Sequence, residues 1–205
     1  MPRIQTEYLD EHRDWRRNQL LEVATTLVRE RGVASLTMTS LAKRAGLSRT
    51  STYEYFANSD DLIANLLFEE LKTFSEKLES SIQNVIDPAR RIELWIKTVV
   101  TYAVSEDHLF AKDLFSMPRL EYRKAEMFKL HSQLYSSLRR SLHDLGVRNI
   151  SSMERIIGSV IQVAIQSVER GASVDAQIEE TSLFILSGIE ACSRSHTRIS
   201  DALHE

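Results

Sequence analysis

The stretch "LAKRAGLSRTSTYEYF", residues 41–56, contains a glycine between two short segments with helical character. Gly46 permits the left-handed backbone conformation that ends a helix sharply. Thr37 can cap a helix over 38–45, and Ser48 can cap a second helix directly after the glycine. Two capped short helices joined by a tight turn are typical of a helix–turn–helix, which we therefore predict here.

The second short helix is polar, but two of its residues are spaced to face inward. Thr52 and Phe56 are those two, four positions apart. The residues predicted to face outward carry guanidinium, hydroxyl and phenol groups: Arg49, Thr50, Ser51, Tyr53 and Tyr55. Such groups meet base edges and phosphates when a helix enters the major groove. The run predicts a DNA recognition helix; the alternative is an ordinary solvated helix hairpin.

The charge of the chain is divided unevenly. Between Arg13 and Phe56, eight Lys or Arg residues stand against four acidic ones, although the whole chain carries −3. That segment is therefore +4 and the remainder −7. A basic module joined to an acidic body indicates an anionic partner for one end only.

The composition is that of a globular chain, with 205 residues, 42% hydrophobic and 27% charged. No apolar run approaches the ~18 residues of a membrane helix, and the start does not resemble a signal peptide. The single cysteine, Cys192, excludes an intrachain disulfide and indicates a reducing cytoplasm. No metal-ligand spacing, glycine-rich phosphate loop or nucleophile motif occurs, so we expect no metal, no cofactor and no enzyme.

The apolar residues recur at three-four spacing almost throughout, and only six glycines and three prolines interrupt them. We predict an all-α protein of about nine helices. The first helix begins near Arg13 and ends at Gly32. Further predicted helices cover 38–45, 48–56, about 58–86, 88–104 behind an Asp87 cap, about 106–115, a long segment between Pro118 and Gly146, 151–171 and 175–193.

A resemblance to a known family covers about 50 residues of the N-terminal part. Residues 15–24, Gly32 and "LTMTSLAKRAGLSRTSTYEYFANSDDL" (36–62) resemble the N-terminal domain of TetR-family transcriptional regulators. The resemblance implies about nine helices, a homodimer, a variable ligand-binding C-terminal domain, and release of DNA when ligand binds. The implied domains are a DNA-binding domain at 13–60 and a ligand-binding and dimerisation domain at 61–194.

The resemblance also implies DNA contacts at individual positions. They fall on Thr37 and Thr39 of the second helix, and on Arg49, Thr50, Ser51, Tyr53 and Tyr55 of the third. The chain departs from the family where Thr50 replaces a frequent Gly or Pro, and where Thr52 replaces Leu. Ser59 stands where a basic residue commonly touches phosphate. We therefore expect Lys43, Arg44 or the first helix to supply more of the phosphate attraction.

The last two predicted helices are apolar on more than one face, which indicates two packing partners. The apolar residues are Met153, Ile156, Ile157, Val160, Ile161, Ala164, Ile165 and Val168, then Ile178, Leu183, Phe184, Ile185, Leu186, Ile189 and Cys192. We predict a homodimer joined by two helices from each chain; the alternative is a buried helix pair in a monomer. Two-fold symmetry would place two recognition helices roughly 34 Å apart on a palindromic operator.

The middle helices carry most of the aromatic residues, with polar residues between them. An apolar cavity with a few polar groups is the general form of a small-molecule site. The residues predicted to bind a bulky, partly apolar effector are Trp95, Tyr102, Phe110, Phe128, His131 and Gln166. The alternative is that these residues only form core.

We expect a ligand-responsive repressor of transcription. Two other functions remain open at this point. A helical enzyme or carrier with an incidental hairpin predicts no salt-dependent DNA binding. A DNA-binding regulator driven by a protein partner predicts that no small molecule shifts the thermal stability.

Overall fold

The computed structural model describes residues 3–115 and 124–202, with side chains for 11–115, 125, 126, 129, 130 and 132–192. All regular structure in these ranges is helical, which confirms the predicted all-α class. The helices are α1 (Arg3–Arg31), α2 (Met38–Ala45), α3 (Arg49–Thr52), α4 (Ser59–Ile82), α5 (Pro88–Ala103), α6 (Glu106–Phe115), α7 (Lys124–Leu134), α8 (Ser136–Asp144), α9 (Ile150–Glu169) and α10 (Val174–Ala202). A 3-10 turn at Val33–Ser35 follows α1. No described helix is both long enough and apolar enough to cross a membrane.

Several predicted helix boundaries were wrong. α1 begins at Arg3, ten residues before the predicted Arg13, and α10 continues to Ala202 rather than ending at 193. α9 begins at Ile150, because the Asn149 side chain caps it by accepting from the backbone N–H of Ser152 at 3.0 Å. The Asp87 cap of α5 is confirmed, with its carboxylate accepting from the N–H of Ala89 at 3.0 Å.

The long helix predicted between Pro118 and Gly146 is interrupted at Tyr135, so that its described part forms α7 and α8. A break removes intrahelical partners from the carbonyls before it. One side chain from α8 and one from α5 replace these partners. Arg139 donates to the carbonyl oxygen of Ser132 at 2.5 Å, and Trp95 Nε1 donates to that of Leu134 at 3.2 Å. The backbone carbonyls at the interruption can therefore be buried, because both of them are hydrogen-bonded.

The chain separates into two compact units. The first comprises Met1–Leu71 and Phe110–Met127, and the second Lys72–Leu109 and Phe128–Glu205. The first unit therefore includes α1, α2, α3 and the beginning of α4, and also a later segment that a single boundary at residue 60 would not assign to it. The predicted domains 13–60 and 61–194 stay a prediction.

Each unit has an apolar core of its own. The core of the first contains Leu20, Ala24, Leu27, Leu41, Phe56, Leu62, Leu66, Phe110 and Leu114. In the second unit α5 packs against α8, α9 and α10. Its core contains Ile92, Trp95, Ile96, Val100, Leu138, Leu142, Ile157, Ile161, Ile185 and Ile189. The first core positions the helix–turn–helix, and the second leaves one side of α9 and α10 uncovered, as described below.

Candidate DNA-binding site and dimer face

The first helix of the helix–turn–helix is fixed at both ends by local sequence. Thr37 Oγ1 accepts from the N–H of Ser40 at 3.0 Å, and Ser40 Oγ accepts from the N–H of Thr37 at 2.9 Å. This reciprocal pair is a capping box, here with serine in the third position. At the other end Gly46 has φ 67°, the left-handed conformation predicted from the sequence. The capping box therefore fixes where α2 begins, and Gly46 fixes where it ends and the turn to the next helix begins.

The second helix is anchored from below by two buried side chains. Ser48 Oγ accepts from the N–H of Ser51 at 3.0 Å and begins α3. Thr52 is 0% exposed and Phe56 1% exposed, so their inward orientation is confirmed. The Thr52 hydroxyl donates to the carbonyl oxygen of Arg49 at 2.7 Å. Because that bond satisfies the buried hydroxyl, threonine fits a position where the family often has leucine.

The outward side of this segment carries the groups expected to meet DNA. Arg49, Thr50 and Tyr53 are exposed. Arg49 Nη2 donates to Tyr53 Oη at 3.1 Å, and the guanidinium carbon lies 5.7 Å from the centre of the phenol ring. Ser51 is half-buried, and Tyr55 packs part of its ring against the first core. Arg49 and Tyr53 therefore form one polar pair on the surface of residues 48–56, the recognition segment.

The basic residues around this pair differ in whether an acidic side chain pairs with them. Lys43 is exposed on the last turn of α2. Its neighbour Arg44 forms a surface ion pair with Glu30 at 2.8 Å, so part of its charge is compensated locally. Thr37 and Thr39 are both exposed at the start of α2. Lys43 and Thr39 are the more available of these predicted contacts.

The sequence analysis expected the first helix to supply part of the phosphate attraction, but it did not predict what the individual arginines of α1 contact. Arg13 donates to the carbonyl oxygen of Glu54 at 3.1 Å, within the recognition segment. Arg17 donates to Asn65 Oδ1 at 2.5 Å and lies 5.7 Å from the ring centre of Phe56. Both arginines continue the inward face of α1, since they precede Leu20 by seven and three positions. This helical spacing was the available signal.

The start of α4 is joined to α1 through the same polar network. Asn65 Nδ2 donates to both the carbonyl and the side-chain oxygen of Asp61, at 2.8 and 3.1 Å. Asp61 in turn accepts from the N–H of Ala57 at 3.0 Å, and Asn58 Oδ1 accepts from the N–H of Asp61 at 2.9 Å. The network ties α4 to the end of the recognition segment within the first unit.

Two large apolar stripes of the second unit are left uncovered. Ile156 and Val163 on α9 and Leu183 and Phe184 on α10 are 51–69% exposed. Ile161 and Ile185, on other faces of the same helices, are buried in the second core. The prediction that these helices are apolar on two sides is confirmed, and one side has no covering element among the described residues.

The residues predicted to bind an effector are distributed over both units. Trp95 is buried in the second core, and Tyr102 stacks on Phe74 with ring centres 3.8 Å apart. Phe110 belongs to the first core, where the Arg29 guanidinium lies 5.0 Å from its ring. Gln166 is exposed on α9. The side chains of Phe128 and His131 lie outside the described part, so this site stays a prediction.

A comparison with known proteins identifies the helix–turn–helix region. Residues 20–66 match the family model described as "Bacterial regulatory proteins, tetR family". Residues 20–66 therefore form a DNA-binding domain of the TetR type. The relatives given below are transcriptional regulators rather than enzymes. Among its described side chains, no group of three or more His, Cys, Asp or Glu residues could hold a metal ion.

Similarity to individual proteins extends beyond this region. The fatty acid metabolism regulator protein of Bacillus subtilis is 22% identical over 166 residues, which cover 81% of this chain and 76% of the relative. The regulator HbdR of Aromatoleum is 30% identical over 77 residues, covering 38% of this chain and 34% of HbdR. The crystal structure of the regulator FadR from Bacillus subtilis with stearoyl-CoA matches with a TM-score of 0.64 at 18% identity, covering 83% of this chain and 97% of that one. This last likeness shows the shared fold.

Proposed function

We propose that the protein is a homodimeric repressor that binds a palindromic DNA operator and is released by a small, partly apolar effector. The observation that carries the proposal is the construction of the recognition segment. Thr52 and Phe56 hold it to the core, while Arg49, Thr50 and Tyr53 stand exposed on its other side. A short polar helix held in this way suits insertion into the major groove.

Arg49 is the residue we assign to base reading. It is the first residue of α3, directly after the Ser48 cap, and the N-terminal residues of a recognition helix reach base edges. Arginine reads guanine through two parallel hydrogen bonds. The hydrogen bond from Arg49 to Tyr53 restricts the guanidinium before DNA arrives, which lowers the entropy cost of ordering it. Thr50 and Ser51 are short enough to contact bases, and Tyr53 and Tyr55 to contact phosphate.

Dimerisation is supported by the uncovered apolar stripes of α9 and α10. Exposed apolar patches of this kind mark protein–protein contacts. In a two-fold dimer the surface formed by the two stripes would pack against the same surface of the partner, since such interfaces are self-complementary. The small residues Ser159, Ser187, Gly188 and Ala191 on the exposed parts of these helices permit a close approach. The dimer would present one recognition segment to each half of a palindrome.

The effector is proposed to be a small, partly apolar molecule. Trp95, Tyr102, Phe110, Phe128, His131 and Gln166 remain the proposed contacts. A partly apolar effector is consistent with the stearoyl-CoA bound by the FadR structure that shares this fold. Its binding would favour a state of the dimer with weaker operator affinity.

The test is operator affinity measured for Arg49→Ala against a panel of single-base operator variants at fixed salt. We expect lost preference at one base pair in each half-site, worth about 1–3 kcal/mol of discrimination at that position. Arg148→Ala is the matched control, because it removes the same charge from an exposed residue of the second unit. Equal weakening on every operator, with a shallower salt dependence, would instead make Arg49 a phosphate contact.

A further inference from the structure

The second unit contains an open cleft between the α7–α8 break and the first two turns of α9. Its volume is about 420 Å³, within the range of small-molecule sites. We propose that this cleft binds the anionic group, phosphate or carboxylate, of a small molecule. The side chains that line it and carry the proposal are Ser132, Tyr135, Arg139, Ser151, Glu154 and Arg155.

Arg139 is held in a fixed position on the cleft wall. Its Nη1 donates to both carboxylate oxygens of Glu154 at 3.0 Å, and its Nη2 donates to the carbonyl and hydroxyl oxygens of Ser132. The side chain is still 36% exposed, so part of the guanidinium faces solvent. A guanidinium already oriented by several acceptors loses little freedom when an anion arrives.

The charge of the cleft favours an anion. Arg139 is balanced by Glu154, whereas the exposed Arg155 has no ion-pair partner among the described residues, so the lining carries one net positive charge. Ser151 adds a hydroxyl. Burial, followed by the Glu154 carboxylate, raises the pKa of Tyr135, which therefore stays a neutral phenol beside the anion. Cations and hydroxyls together make charge-assisted hydrogen bonds, the strong class for phosphates and carboxylates.

The cleft is kept open at a cost to α9. Gly158 lies inside this helix and lines the cleft, although glycine there is destabilising relative to alanine. A Cβ atom at this position would stand 3.6 Å from Tyr135 Oη, which is an ordinary contact. Packing therefore does not require glycine, and its effect is to leave the space beside Tyr135 empty.

The cleft is distinct from the proposed dimer face. Ser151, Glu154, Arg155 and Gly158 follow one helical stripe, at spacings of three, four and seven. Ile156 and Val163 lie on another stripe of α9, seven residues apart. A dimer formed through the apolar stripe would leave the cleft stripe accessible. The proposal also does not require that the bound anion be the effector.

The test is calorimetric titration of the full chain with inorganic phosphate and, separately, with acetate, at constant ionic strength. We expect saturable binding, with one anion per chain, of at least one of the two; which one binds distinguishes a phosphate site from a carboxylate site. Arg155→Gln should weaken binding about tenfold or more, since it removes the unpaired cation. Gly158→Met should abolish binding by filling the cleft.

Lys97→Gln is the control, because it removes one positive charge from an exposed position on α5 outside the cleft. It should leave the affinity unchanged. The proposal is overturned if neither anion binds, or if Lys97→Gln weakens binding as much as Arg155→Gln. Dimer formation and operator affinity are measured on the same samples. Loss of either one is thereby distinguished from loss of anion binding.

Discussion

Replacing Phe184 by alanine should weaken the dimer strongly, and the size of the effect follows from the exposure of the side chain. Phe184 is 64% exposed in the single chain. Of the roughly 200 Å² that an aromatic residue can bury, about 130 Å² would then be covered by the partner. At ~25 cal/mol per Å² this is about 3 kcal/mol, of which alanine retains roughly a third. Two symmetric copies give a loss of about 4 kcal/mol, or roughly a thousandfold in the dimer dissociation constant.

The measurement is sedimentation velocity over a range of protein concentrations, with operator affinity determined in parallel. Phe115→Ala is a closely matched control, because Phe115 is the same residue type, 63% exposed, and lies on α6. Circular dichroism should show that both variants keep their helices. Arginine at Ile161 or Ile185 would be a poor choice, since both residues are buried in the second core and a charge there would unfold the chain.

The expected result is dissociation of the Phe184 variant at concentrations where the Phe115 variant and the unchanged protein are dimers. Operator affinity should fall together with dimer formation. If both variants shift the dimer equilibrium equally, or if the Phe184 variant remains a dimer throughout, the two apolar stripes of α9 and α10 do not form the interface.

Two other predictions concern the effector and Tyr135. An effector that weakens operator binding by some factor must itself bind more weakly, by the same factor, to the DNA complex, and titrating effector into free and operator-bound protein checks this equality. The pKa of Tyr135 is raised, so its contribution to folding stability is fully present below pH ~10. That contribution is lost as the pH rises through the folded-state pKa, because the unfolded chain gives up the proton first. Glu154→Gln should lower this pKa only in part, since burial is the larger cause; ultraviolet titration against Tyr135→Phe measures it, and complete loss of the shift would contradict the assignment.

The elements that depend on neighbouring residues in the chain were predictable from the sequence. Gly46, Ser48 and Asp87 act through their own backbone or through an N–H two or three residues away. The end of α1 at Arg31 was predictable for the same reason, because Gly32 adopts a positive φ of 77°. These local rules determined the helix–turn–helix and its exposed polar side.

The α7–α8 break was not predictable, because one of the two side chains that satisfy its carbonyls comes from α5, a distant part of the second unit. Trp95 reaches it from 39 residues away in the chain. The same limit applies to the effector residues. Helical spacing shows that Trp95 and Phe110 are apolar positions, but it does not show that they belong to different cores. The cleft at Arg139 was missed because its residues are ordinary polar residues until the fold brings them together.

The capping box at Thr37 limits what this threonine can offer to DNA. A phosphate oxygen accepts hydrogen bonds, so any contact to it must spend a hydrogen of the protein. Thr37 has two such hydrogens, and both are in use: the backbone N–H and the hydroxyl each donate to Ser40 Oγ, at 2.9 and 3.1 Å. Binding a phosphate through Thr37 would therefore require opening the start of α2. Thr39, exposed two residues later, can supply its hydroxyl hydrogen while the cap stays closed.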